Sequence, residues 1–148
     1  MHVAIYDAVM SIDTRHDPFK VAPARLRPAS REAAAVAAAH ALLVKLLPDQ
    51  QATLDAARAA SLAAIRGERR KRNGIAIGEE VAERLLEIHN GVIPNVSYAP
   101  STGPGVWQPT PPGFLPVLLP GFAQVTPFTL ARPSQFRPGP PPSLSSAV

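Results

Sequence analysis

Apolar side chains recur every three or four positions through residues 2–91, and that rhythm is lost afterwards. In residues 2–12, Val3, Ile5, Tyr6, Val9 and Ile12 trace one face of a short helix. Residues 13–29 read as a loop, punctuated by Pro18, Pro23 and Pro28. Ser30 then has the chemistry of an N-cap, with Glu32 in the first turn, where the helix dipole favours negative charge. This second helix is predicted to reach about Leu47 and to stop at Pro48. Its run from Ala33 to Ala41 has high helix propensity and a smooth face that a neighbouring helix can approach closely. Leu42, Leu43, Leu46 and Leu47 make its end strongly apolar.

Asp49 is the expected cap of a third helix to about Arg66, with Gly67 just past its end. Leu54, Ala57, Ser61 and Ile65 form its stripe, flanked by Leu62. A fourth helix is expected from about Ile75 to His89, ending at Asn90-Gly91. Ile77, Val81, Leu85 and Ile88 would face inward. Glu79, Glu80, Glu83, Arg84 and Glu87 would face water, with Glu80 and Arg84 spaced i,i+4. Short connections imply antiparallel neighbours. The fold class is therefore all-α: a bundle portion of about four helices over residues 1–91, then a long irregular proline-rich segment over 92–148.

That second segment changes the picture. It holds 14 of the 18 prolines, four of the five Phe and the single Trp, and no acidic residue follows Glu87. Proline removes a backbone donor and disfavours helix at the residue before it. A solvated linker is polar or Gly/Ser-rich, and this stretch is neither. It reads as a strap with apolar anchors, Trp107 and Phe114 first among them, that needs a helical surface to wrap. Both ends look cut, as in the N-terminal part of a larger protein that lacks a C-terminal catalytic half.

Charge and composition exclude some classes. Without cysteine there is neither disulfide nor thiolate chemistry. No apolar run is long enough for a membrane span. The net charge of +4 does not by itself call for nucleic acid. The compartment is open.

Several stretches carry a resemblance. The opening Met1-His2-Val3-Ala4-Ile5-Tyr6-Asp7-Ala8-Val9 resembles the first helix of bacterial vanadium-dependent haloperoxidase-like proteins, of the type 2 phosphatidic acid phosphatase superfamily. Ala37-Ala38-Ala39-His40 with Leu46-Leu47-Pro48, and Gly74-Ile75-Ala76-Ile77-Gly78, are similar to later stretches of that family. So are Pro104-Gly105-Val106-Trp107-Gln108-Pro109-Thr110-Pro111-Pro112, Pro127-Phe128 and Gln135-Phe136-Arg137-Pro138. The resemblance implies an all-α fold and, for a complete parent, vanadate or phosphate held by Lys, Arg, a Ser-Gly-His turn and a further His. The parent chemistry would be halide oxidation by peroxide or phosphate ester hydrolysis. A tetrahedral oxyanion needs converging cationic or N–H donors, and this sequence has no Pro-Ser-Gly-His and no Ser-Arg followed by Gly-Ile-His. No catalytic, cofactor-binding or metal residue is carried over.

The remaining candidates have plain readings. His40 is expected to pack between helices and His89 to sit on a helix C-terminus. His2 and Tyr6, at i,i+4 near Asp7, lack a third metal ligand, and His16 is solvated beside Asp13 and Asp17. Arg69-Arg70-Lys71-Arg72 reads as a solvated interhelical turn without the aromatics that stack bases. Pro138 to Pro141, beside Arg137, matches a minimal PxxP whose ordinary role is packing. The functional expectation is a non-catalytic helical portion of a haloperoxidase- or phosphatase-like protein, truncated or split. It would be completed by a site-bearing half or by self-association, with no nucleic-acid partner. The alternative is a stand-alone interaction module using the proline-rich segment.

Overall fold

A computed structural model describes residues 1–89, 93–99, 101–103, 105–143 and 146. The expected helix end at Asn90-Gly91, and Pro104 of the strap motif, lie outside the described residues. The chain divides into two units, Met1–Gly91 and Val92–Val148. Four α-helices and no strand occur among the described residues: α1 (His2–Ile12), α2 (Arg31–Leu46), α3 (Gln51–Ala63) and α4 (Glu68–Ile88).

The first unit is built on α2 and α4. Ser30 caps α2 as expected: its hydroxyl accepts from the Ala33 N–H at 3.2 Å and donates to Glu32 at 2.7 Å. Gly74 of α4 faces Ser30, Ala33 and Ala34, and Gly78 faces Ala34, Ala37 and Ala38. A step of four residues on one helix matches four on the other, so α2 and α4 run parallel. The expectation of antiparallel neighbours concerned helices joined by short turns, and it left the α2–α4 pair, separated in sequence by α3, unaddressed. The bare glycine backbone and the alanine face explain the approach, because larger side chains would hold the helices apart. α3 connects them, runs back in the opposite sense and packs against α2. It is tied by His40 to Asp55 and by Arg58 to Glu79.

α4 starts seven residues earlier than expected. Arg69-Arg70-Lys71-Arg72 and Asn73-Gly74 are helical rather than a turn. Gly74, one residue before the expected start, is a contact residue inside the helix. Gly67, at φ +87°, makes the left-handed turn between α3 and α4. Asp49 does not cap α3. It lies in a 3₁₀ turn, Pro48–Gln50, and Gln50 precedes the helix without a side-chain cap bond.

The core comprises Ala4, Ala8, Val21, Leu42, Ile77, Val81, Ala82 and Leu85 with smaller neighbours. Burial of Ile77 or Val81 contributes about 1.5–3 kcal/mol each. Ile88, expected inside, is exposed. On α1 the buried line is Ala4, Asp7, Ala8 and Ser11, whereas Tyr6 is exposed. The expected apolar face of α1 is therefore rotated, since close packing selects the small residues and leaves the large ones at the flanks. α3 buries nothing fully; Leu54, Arg58, Leu62 and the following Ile65 are its half-buried line, and Ala57 and Ser61 point outward.

The described residues of the second unit are irregular apart from a 3₁₀ helix at Pro120–Gln124. Tyr98 meets Trp107 edge-on, with centroids 5.8 Å apart. A Cβ on buried Gly121 would overlap the Pro94 carbonyl, so the segments around residues 94 and 121 touch backbone to backbone.

Candidate functional site

Asp7 is fully buried, and its carboxylate accepts three backbone N–H groups from the loop after α1. Oδ1 takes Phe19 N–H at 2.5 Å; Oδ2 takes Lys20 at 3.0 Å and Val21 at 2.9 Å. Charge-assisted bonds of this kind are stronger than neutral ones. They satisfy loop amides that could not reach water at Val21, which is itself buried. The Ser11 hydroxyl donates back to the Asp7 carbonyl at 2.6 Å. Helix spacing held the signal for this role: Ala4, Asp7, Ala8 and Ser11 stand at i, i+3, i+4 and i+7.

His2 and Tyr6 do come together, with Val3, Asp17, Pro18 and Phe19, around an open apolar hollow of about 500 Å³. The Tyr6 hydroxyl donates to the Asp17 carbonyl at 3.3 Å. Asp7 is engaged by the loop amides and does not join them. Among the described residues no three His, Cys, Asp or Glu converge in a way that could hold a metal ion.

His40 packs between helices, as expected. The partner missed in sequence is Asp55, 2.6 Å away across the α2–α3 seam. His89 follows the last residue of α4, and its N–H donates to the Leu85 carbonyl at 2.8 Å. His16 lines a small polar cleft with Asp17 and Arg25.

At the other end of α4, Arg15 and Arg31 converge on Asp13 at 2.8 and 2.7 Å. Hydrogen bonds from Arg15, then Arg31, hold the Asp13 carboxyl down from 3.8 to about 2. Glu32 is also held below the ordinary carboxylate range. Its own backbone N–H acts first, then the Ser30 hydroxyl, then the charges of Arg31 and Arg70.

In the second unit, Trp107, Thr110, Pro111, Pro112, Leu115 and Leu118 shape a hollow of about 460 Å³. Phe114 is 62% exposed, Leu118 84% and Phe136 77%. The PxxP run from Pro138 to Pro141 is exposed.

Compared with protein-family models, curated proteins and solved structures, the chain matches none. No helix of the described residues is long and apolar enough to cross a membrane.

Proposed function

We propose that this chain is a non-catalytic helical scaffold, the frame-building portion of a vanadium-haloperoxidase- or acid-phosphatase-like protein. One observation supports the reading: three of the stretches that carry the resemblance, around Asp7, Ala37 and Gly78, help build the first unit. Asp7 of the opening stretch pins the 19–21 loop, and the Ala37–Ala38 stretch receives Gly78 of α4. These residues position backbone; none presents a nucleophile or an oxyanion pocket. Vanadate or phosphate would belong to the complete parent and would be held by residues this sequence does not contain.

The test is turnover. The purified chain, supplied with vanadate, bromide and peroxide, is expected to brominate nothing, and a phosphomonoester is expected to remain intact. A polypeptide carrying Ser-Gly-His and a later Arg…His pair should bind the chain and supply the activity. Turnover by the chain alone would overturn the reading.

A second reading, a protein-interaction module, draws support from the outward-facing Phe114, Leu118 and Phe136. Large exposed apolar side chains are what a docking surface is built from. Direct binding of a partner by the isolated 93–143 segment, with no contribution from the helical unit, would favour it.

A further inference from the structure

The parallel pairing of α2 and α4 brings two helix N-termini to one end of the first unit. Their dipoles add there instead of cancelling. The same end gathers cations that are far apart in sequence. Arg27 and Arg70 line one open hollow of about 500 Å³ with Ile12, Pro28 and Ala29 as its floor. Arg31 reaches Asp13 from the first residue of α2, and Arg15 joins it. Arg66, Arg69, Lys71 and Arg72 belong to the chain entering α4. Eight of the fifteen Lys and Arg residues thus meet three of the eleven carboxylates, Asp13, Glu32 and Glu68. The surplus exceeds the net charge of the whole chain, +4.

Those carboxylates are already engaged. Asp13 holds Arg15 and Arg31, Glu68 holds Lys71 at 3.0 Å, and Glu32 accepts from the Ser30 hydroxyl. Arg27, Arg66, Arg69, Arg70 and Arg72 are exposed and have no carboxylate partner among the described residues. Their setting is also fixed. The Arg70 carbonyl accepts from Ser30 N–H at 2.9 Å, and the Asn73 side chain donates to the Pro28 carbonyl at 2.8 Å. These bonds lock the first turns of α4 to the start of α2 and to the loop that carries Arg27.

We infer that this end of the first unit is a binding surface for the phosphate backbone of nucleic acid. Arginines without a close ion pair suit phosphate, because the guanidinium fork matches its oxygens two at a time; of these five, Arg70 also acts on a carboxylate, Glu32, through its charge. No aromatic ring of the described residues is interleaved with them for base stacking, so the surface reads backbone rather than sequence. Beside the arginines, Leu26 is 39% exposed and Ile12 lines the hollow. That is too little to anchor the unit in a lipid surface. The sequence reading of a solvated turn held Arg69 to Arg72 alone; folding adds Arg27 and the two helix ends.

The experiment is fluorescence anisotropy of the full chain with a labelled random-sequence duplex, titrated across salt concentrations. Binding should weaken linearly on a log–log plot, with a slope near −0.9 per phosphate neutralised, roughly −4 to −5 for five contacts. Combined Arg69→Gln, Arg70→Gln and Arg72→Gln should flatten that slope by about 3, and Arg27→Gln alone by about 1. Arg132→Gln with Arg137→Gln should leave it unchanged. In the unaltered chain, duplex should protect Arg27, Arg69, Arg70 and Arg72 from an arginine-directed reagent, a readout that holds even if a variant folds poorly. No binding at low salt, a slope indifferent to Arg27, or tighter binding to phosphatidylserine vesicles than to duplex would each overturn the inference. None of these outcomes depends on whether the chain turns over bromide or phosphoester.

Discussion

Gly78 packs its backbone against Ala34: a Cβ at position 78 would overlap the Ala34 carbonyl oxygen and meet the Ala37 Cβ at 3.0 Å. Two opposing effects then act on Gly78→Ala. Helix propensity favours alanine by roughly 1 kcal/mol. The overlap is with backbone, which cannot swing aside, so α4 must shift away from α2, and forced overpacking costs about 1–3 kcal/mol. Gly78→Ala is expected to lower the denaturant midpoint, and so is Gly74→Ala, whose Cβ would meet the Ser30 carbonyl. A rise in the midpoint for either would show that the helices are not in this contact.

Asp7→Ala should be among the most damaging single changes in α1. It leaves the N–H groups of Phe19, Lys20 and Val21 without their acceptor. A buried donor left unmatched costs about 1–3 kcal/mol, and Val21 is buried. Hydrogen exchange should quicken at residues 19–21 before anywhere else in the unit. Unchanged protection there would contradict the latch.

Asp13 gives a pH signature. Its folded carboxyl sits at about 2 instead of 3.8, first because of Arg15 and then Arg31. A depressed acid stabilises the folded state above its unfolded pKa, and the contribution fades as pH falls from about 3.8 towards 2. Arg15→Gln should bring the Asp13 carboxyl back up towards 3.8, and Arg31→Gln should do so to a smaller extent. A carbon-detected NMR titration of the Asp13 side chain reads both, and no movement in either variant would rule out the pairing.

α3 should be the loosest helix of the first unit. It buries no residue fully, and its ties include the His40–Asp55 and Arg58–Glu79 bridges. Exposed ion pairs contribute about 0.2–1 kcal/mol. His40→Ala should therefore quicken amide exchange across Gln51–Ala63 while the overall denaturation midpoint moves little. A loss of global stability of several kcal/mol would show that α3 belongs to the cooperative core.

The helical unit was legible where the signals are local. Ser30 announced its own cap, Glu80 and Arg84 their i,i+4 pair at 3.4 Å, and Ile77, Val81 and Leu85 the inward face of α4. Errors fell where a partner reverses a local preference. The expected start of α4 at Ile75 left out Gly74, against which Ser30 and Ala33 lie. The large residues of α1 looked like its core until close neighbours selected Ala4 and Ala8.

By itself the sequence determined that the α-helices fall in the part before residue 92 and that the proline-rich part after it loses their spacing, because apolar spacing and proline act within a few residues. It also determined that cysteine chemistry is absent. Only the tertiary structure decided that α2 and α4 run side by side in the same direction, that Asp7 serves a distant loop, and that Arg27 stands beside Arg70. Those facts join residues many positions apart, and only packing specifies which distant surfaces meet.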